Sequence, residues 1–152
     1  MPDSTHIRPA TQADIPALID LEQKVATAAH WSRAQYEAMF TESSPQRSAL
    51  VIEANRVVQG FLISRAIGAE WEIENIVVAG QARRIGLATR LMGKFLDQAR
   101  AGKAKSVFLE VRESNRAARA LYEKSGFVEN GRRRLYYASP PEDAVLYHLP
   151  FV

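Results

Sequence analysis

No cysteine occurs in the 152 residues. Its absence excludes disulfide staples, thiolate-bound zinc, iron–sulfur clusters and a cysteine nucleophile. Histidine is scarce as well: the three present, His6, His30 and His148, are too scattered to suggest a ligand set, and no metal is expected. No run approaches the roughly 20 apolar residues that cross a bilayer. The opening MPDSTHIRPATQ lacks the basic and apolar segments of a signal peptide, so a cytoplasmic location without membrane contact is expected. Low-complexity tracts and internal repeats are missing too. Lys plus Arg number 20 and Asp plus Glu 17, a formal net charge of +3, which permits a polyanionic partner without requiring one. What is there, 47% hydrophobic and 24% charged residues, is the composition of a chain that buries a core. The length suits a single domain spanning residues 1–152.

Hydrophobic spacing divides the chain into elements. HIRPAT reads as a short strand. Thr11 or Asp14 can then cap a helix with Ile15, Leu18, Ile19 and Leu21 near the helical period, and Pro16 is tolerated in its first turn. Ser32 is expected to cap a second helix bearing Tyr36, Met39 and Phe40, its entry stapled by Trp31. From Ala49 the period becomes two, and ALVIEANRVVQGFLISRAI reads as a hairpin turning at Ala54-Asn55. GAEWEIENIVVAG follows as a third strand. Strict alternation would place Trp71, Ile73 and Asn75 on one face and Glu70, Glu72 and Glu74 on the other, ahead of the apolar run Ile76, Val77, Val78. A helix with Leu87, Leu91, Phe95 and Ala99 in register ends at Gly102. SVFLEVR is a strand, Ser114 or Asn115 caps a helix that ends at Gly126, and FVEN opens another strand. LYYAS and AVLYHLP close the chain around Pro140-Pro141. The order is strand, two helices, three strands, helix, strand, helix and then the closing strands, an α/β (α+β) pattern.

The stretch IVVAGQARRIGLATRLM carries the most chemistry. A loop passing from a buried strand into a helix offers unpaired backbone amides at the positive end of the helix dipole, which suits phosphate. Arg83 and Arg84 add charge, Gly86 permits close approach, and small Ala88 keeps the next turn open. Neither a GK[ST] loop nor a GxGxxG fingerprint is present. A solvated loop before a helix is the other reading of these residues alone.

The spacing Arg83-x-x-Gly86-x-Ala88 after that strand resembles the acetyl-coenzyme A signature of the GCN5-related N-acetyltransferases. FLEVRESNRAARALYEKSGF resembles the segment that follows in the same family, and the likeness runs from IRPATQADIPAL to AVLYHLP. Within the family it is strongest to the bacterial RimI-type ribosomal-protein-alanine N-acetyltransferases, through LEVR-x-SN, ALYE-x-x-GF, RR-x-YY and an acidic ED pair. The resemblance implies a mixed, mostly antiparallel central sheet of about six to seven strands flanked by about four helices. It also implies an enzyme that moves acetyl from acetyl-CoA to an amine. Chain positions depart from it at Ala79-Gly80, at Ile85 and at Leu135, the last near the acceptor end.

The resemblance assigns residues as well. The backbone of Ile76, Val77 and Val78 would hold the pantetheine arm as an added strand does, and the amides from Arg83, Arg84, Ile85, Gly86, Leu87 and Ala88 to Thr89 would hold the pyrophosphate. Asn115 would contact the coenzyme, while serving equally as a helix cap. Glu110 would be the general base and Tyr122 the general acid, since an amine must lose a proton before it attacks a thioester. On residues alone, Glu110 could instead be a solvated carboxylate paired with Arg112, and Tyr122 a core aromatic. Glu72 and Glu74 could recognise a cationic amine, act as an alternative base, or form a solvated face. Tyr136 and Tyr137 could line the acceptor slot or pack in the core. Arg132 to Arg134 could touch coenzyme phosphate or RNA, or end a strand in solvent.

The expected function is acetyl transfer to a protein N-terminal α-amine, alanine on a small-subunit ribosomal protein, by direct attack. The expected partners are acetyl-CoA and that acceptor, with no direct nucleic-acid binding and a monomeric enzyme. A polyamine or aminoglycoside acceptor and a noncatalytic ribosome- or RNA-binding module are the rival readings.

Overall fold

The computed structural model describes residues 5–25, 31–41, 46–80, 86–138 and 140–151. Strand β1 (His6–Pro9) leads through a 3-10 turn (Gln12–Asp14) into α1 (Ile15–Gln23) and then α2 (Arg33–Thr41). Strands β2 (Gln46–Ala54), β3 (Val57–Ile67) and β4 (Glu70–Val78) form the meander, followed by α3 (Leu87–Ala101), β5 (Ser106–Arg112), α4 (Arg116–Lys124), β6 (Val128–Ala138) and β7 (Pro141–Pro150). All seven strands belong to one sheet, ordered β1-β2-β3-β4-β5-β7-β6. Every neighbouring pair is antiparallel except β4 and β5. The mixed, mostly antiparallel sheet flanked by helices is the one expected.

Local signals account for most boundaries. Ser32 Oγ accepts from the Gln35 amide at 3.2 Å while Gln35 Oε1 accepts from the Ser32 amide at 2.7 Å, a reciprocal capping box. Trp31 and Tyr36 close the accompanying staple, with ring centroids 5.5 Å apart. The β2–β3 turn falls at Asn55-Arg56, one residue beyond the expected Ala54-Asn55. Both turn residues are left-handed, with φ of 52° and 66°, as a two-residue hairpin turn matching strand twist requires. Leu87, Leu91, Phe95 and Ala99 are all buried, so the stripe on α3 is the face that packs on the sheet.

Two hydrophobic clusters lie on opposite faces. One, under α3 and α4, includes Phe95, Val107, Leu109, Val111, Tyr122 and Tyr147. The other, under α1 and α2, includes Leu18, Tyr36, Val51, Phe61, Ile63 and Val77. Val107, Leu109 and Val111 on one face leave Phe108, Glu110 and Arg112 on the other, as the alternation of β5 requires.

Two features differ from the sequence reading. In β4, the register against β3 passes from Ile63↔Asn75 to Ser64↔Ile73, so Glu74 is an extra residue. This bulge shifts the alternation: Ile73 and Ile76 pack on the same cluster, and Asn75 leaves the face of Trp71 and Ile73. FVEN and LYYAS are not separate strands but parts of one β6, whose register breaks between Arg133 and Tyr137. Leu135 within that break has φ of 48°, uncommon for a residue with a Cβ. The strand order, on which the sequence analysis made no statement, places β7 between β5 and β6 and so pairs the last strand with one far back in the chain.

Candidate active site

The parallel pairing of β4 and β5 is short: Glu70, Trp71 and Glu72 face Ser106, Val107 and Phe108, and the ladder ends there. Beyond it β4 stays paired to β3 as far as Val78, and β5 stays paired to β7 through Arg112. Two strands held firmly on their outer sides therefore part from each other, and the bulge at Glu74 sits where they diverge. The sheet is open between them.

On the α3–α4 side the opening continues into a cleft of about 320 Å³. Ile76 and Val78 line it from β4, Gly86, Ala88 and Thr89 from the start of α3, and Asn115, Ala117, Ala118 and Leu121 from α4. Small side chains keep it open, and Gly86, with φ of 77°, turns the chain into α3 at a backbone conformation that suits glycine. Val77 turns away into the other cluster, and Leu87 is buried in the core, so each can meet a ligand only through its backbone. Arg83, Arg84 and Ile85 lie outside the described residues. Asn115 combines both roles considered for it: Oδ1 accepts from the Ala118 amide at 3.2 Å, capping α4, and the residue lines the cleft. A cleft of this volume, beside an unladdered strand and a helix start, fits an extended carrier arm ending in phosphate.

Tyr122 belongs to the cluster on this same face, packed against Phe127 and Tyr147 with ring centroids 5.9 and 6.0 Å away. Burial, with Tyr137 and Tyr147 nearby, pushes its pKa above the ordinary tyrosine value, so the hydroxyl keeps its proton at neutral pH.

The opposite side is charged. Glu110 meets Arg133, with Oε1 3.0 Å from Nε. Its expected alternative partner, Arg112, instead reaches Glu142 at 3.2 Å and stacks 4.3 Å from the centre of the Tyr137 ring. Glu72 and Glu74 are not a solvated face. Arg65 holds Glu72 at 2.6 Å, and Arg47 holds Glu74 through two contacts of 2.7 and 3.2 Å. Burial pushes the Glu72 carboxyl pKa up, Arg65 pulls it back, and Glu74 and Glu110 add to the rise, which places each of these two carboxylates within electrostatic reach of Glu72. Tyr137 is half-buried and pushed up to about 12, by burial first and by Glu110 next. Tyr136 is exposed, its ring edge-on to Tyr137 at 5.2 Å. Arg132 is bound to Glu113 at 2.8 Å and to Glu129 at 3.0 Å. Two arginines of the basic run are therefore committed to carboxylates of this chain.

The opening thus unites Ile76, Val78, Gly86, Ala88, Thr89 and Asn115 on one side and Glu72, Glu74, Glu110 and Tyr137 on the other. The partners Arg47 and Arg65 and the lining alanines of α4 were not singled out by the sequence, and Arg133, considered there for phosphate or RNA, meets Glu110 instead. The only signal was the small-residue spacing in NRAARALYE; nothing local marks which arginine meets which carboxylate.

Comparison with known proteins agrees with this architecture. The profile described as the Acetyltransferase (GNAT) family matches residues 15–127. The [Ribosomal protein bS18]-alanine N-acetyltransferase of Salmonella typhimurium is 34% identical over 139 residues, covering 90% of this chain and 91% of that protein. The crystal structure of the ribosomal-protein-S18-alanine N-acetyltransferase from Escherichia coli superposes with a TM-score of 0.84 at 31% identity, over 96% of this chain and 93% of that one. Ard1 from Thermoplasma volcanium superposes with a TM-score of 0.88 at 26% identity, over 98% of this chain and 99% of that one. The chain belongs to the GNAT acetyltransferase family. It is an acetyl-CoA-dependent N-acetyltransferase, and the noncatalytic reading is set aside. No helix among the described residues is long and apolar enough to cross a membrane.

Proposed function

We propose that this enzyme acetylates the N-terminal α-amine of a protein, an alanine on a small-subunit ribosomal protein, acting as a cytoplasmic, monomeric, single-domain enzyme. The observation behind the acceptor is the 34% identity, across 90% of the chain, to proteins named for that reaction. Both sides of the opening come from one chain, so a single copy suffices.

When bound, acetyl-CoA supplies the acyl group already activated as a thioester. Ile76, Val77 and Val78 hold the carrier arm along β4, and the amides from residue 83 to Thr89 hold the pyrophosphate, with Asn115 beside them. Glu110 takes a proton from the acceptor nitrogen, directly or through water, and frees its lone pair to form the new C–N bond. Tyr122, kept protonated by burial, hands its proton to the sulfur as the C–S bond breaks. Glu110 and Tyr122 belong to opposite faces of the sheet, which suits an acceptor entering from one side and a coenzyme lying on the other. Without a cysteine to carry the acyl group, transfer is direct, in a ternary complex.

A polyamine or aminoglycoside would need several carboxylates for its amines. Glu72, Glu74 and Glu110 each already hold an arginine, which favours a single amine. The test is a screen of N-terminal peptides, lysine peptides and small amines with labelled acetyl-CoA. Transfer to alanine-initial peptides is expected; transfer only to lysine or to small amines would refute the acceptor.

A further inference from the structure

The arginines on the charged side are not held alike. Arg112 has a side chain 18% exposed, an ion pair with Glu142, a bond to the Pro140 carbonyl and a stacked tyrosine. Arg132 is shared between two carboxylates at 38% exposure. Arg133 is 56% exposed, and its one ion pair among the described residues is with Glu110. It also stands on the stretch of β6 whose register against β7 breaks, between Arg133↔Ala144 and Tyr137↔Glu142. Its guanidinium lies 5.3 Å from the centre of the exposed Tyr136 ring, a second resting place for a cation. The Glu110 side chain is 17% exposed, so the exposed and mobile end of the pair is the arginine, which water screens and which must give up side-chain freedom to stay in place.

The acceptor approaches Glu110 as an ammonium. Guanidinium and ammonium carry the same charge and seek the same carboxylate oxygens, so they compete. We propose that Arg133 is a displaceable counter-ion of Glu110: it neutralises the carboxylate while no acceptor is present, yields its place to the incoming amine, and so sets how tightly the acceptor binds. It is a positioning residue, and the inference rests on Glu110 being the group that receives the amine.

The test measures initial rates at saturating acetyl-CoA with whichever amine the native enzyme acetylates fastest in the screen above. A wrong acceptor class then changes the substrate used, not the comparison. Arg133→Gln is expected to lower the acceptor KM about twofold to fivefold, the effect falling on acceptor KM and not on the KM for acetyl-CoA. Arg133→Lys, which keeps the charge, is expected to restore the native acceptor KM. An unchanged or higher acceptor KM in Arg133→Gln overturns the proposal. So does an equal fall in Arg134→Gln, the exposed neighbour, because that would be a bulk effect of charge. Loss of turnover in Glu110→Gln without a KM change in Arg133→Gln removes this inference alone; full turnover in Glu110→Gln removes the base assignment with it.

Discussion

The two sides of the opening between β4 and β5 are built from different materials. The side proposed for the coenzyme is backbone and small side chains: Ile76, Val78, Gly86, Ala88, Ala117 and Ala118. The side proposed for the acceptor is long charged side chains in pairs: Glu72 with Arg65, Glu74 with Arg47, Glu110 with Arg133. A binding surface made of amides and alanines depends on where the backbone runs and tolerates many sequences. A surface made of ion pairs depends on which side chain meets which, so single substitutions can redirect it. The difference explains how one framework can keep a common acyl donor while the acceptor changes.

The largest effects test whether chemistry belongs to the charged side and its buried counterpart. Glu110→Gln and Tyr122→Phe are each expected to lower kcat by on the order of 10² to 10⁴, with the KM for acetyl-CoA little changed. Native turnover in both variants would break the comparison at its centre. A smaller effect is expected across the opening. Ala117→Trp places an indole in the cleft and is expected to raise the KM for acetyl-CoA about tenfold or more, leaving the acceptor KM near native. A rise confined to the acceptor would mean that the two sides are not separate.

The smallest effect concerns stability. Burial raises the Glu72 carboxyl above its ordinary value of 4.5, so the folded chain binds that proton more tightly than the unfolded one. The contribution is present at low pH and is lost as pH rises through the window just above 4.5. Urea midpoints of the native enzyme should fall across that window, and Glu72→Gln should flatten the slope. A slope untouched by the substitution would place its origin in another group.

Much of the coenzyme side was legible in the chain. The α3 stripe of Leu87, Leu91, Phe95 and Ala99, the Gly86 start and the Asn115 cap are local patterns, read within a few residues of one another. The Trp31–Ser32–Gln35–Tyr36 entry to α2 is local in the same sense, although Gln35 was recognised only in the structure. The acceptor side was legible as residue types and not as contacts. Glu110 was matched to a role, yet its neighbour Arg112 turned to Glu142, 30 positions away, while Arg133 came from another strand. The alternation of β4 failed at Glu74 because a bulge is a property of two strands in register, not of one.

By itself the sequence determined the order of the helices and of the strands up to β5, the buried stripe of α3, the family, and the residue types available to move a proton. These follow from short-range periodicity and capping, where interacting groups are neighbours in the chain. Only the tertiary structure decided that β7 slips between β5 and β6, that β4 and β5 part after three paired residues, and that each carboxylate on the acceptor side holds an arginine. These are contacts between distant residues, and their partners are chosen when the sheet closes.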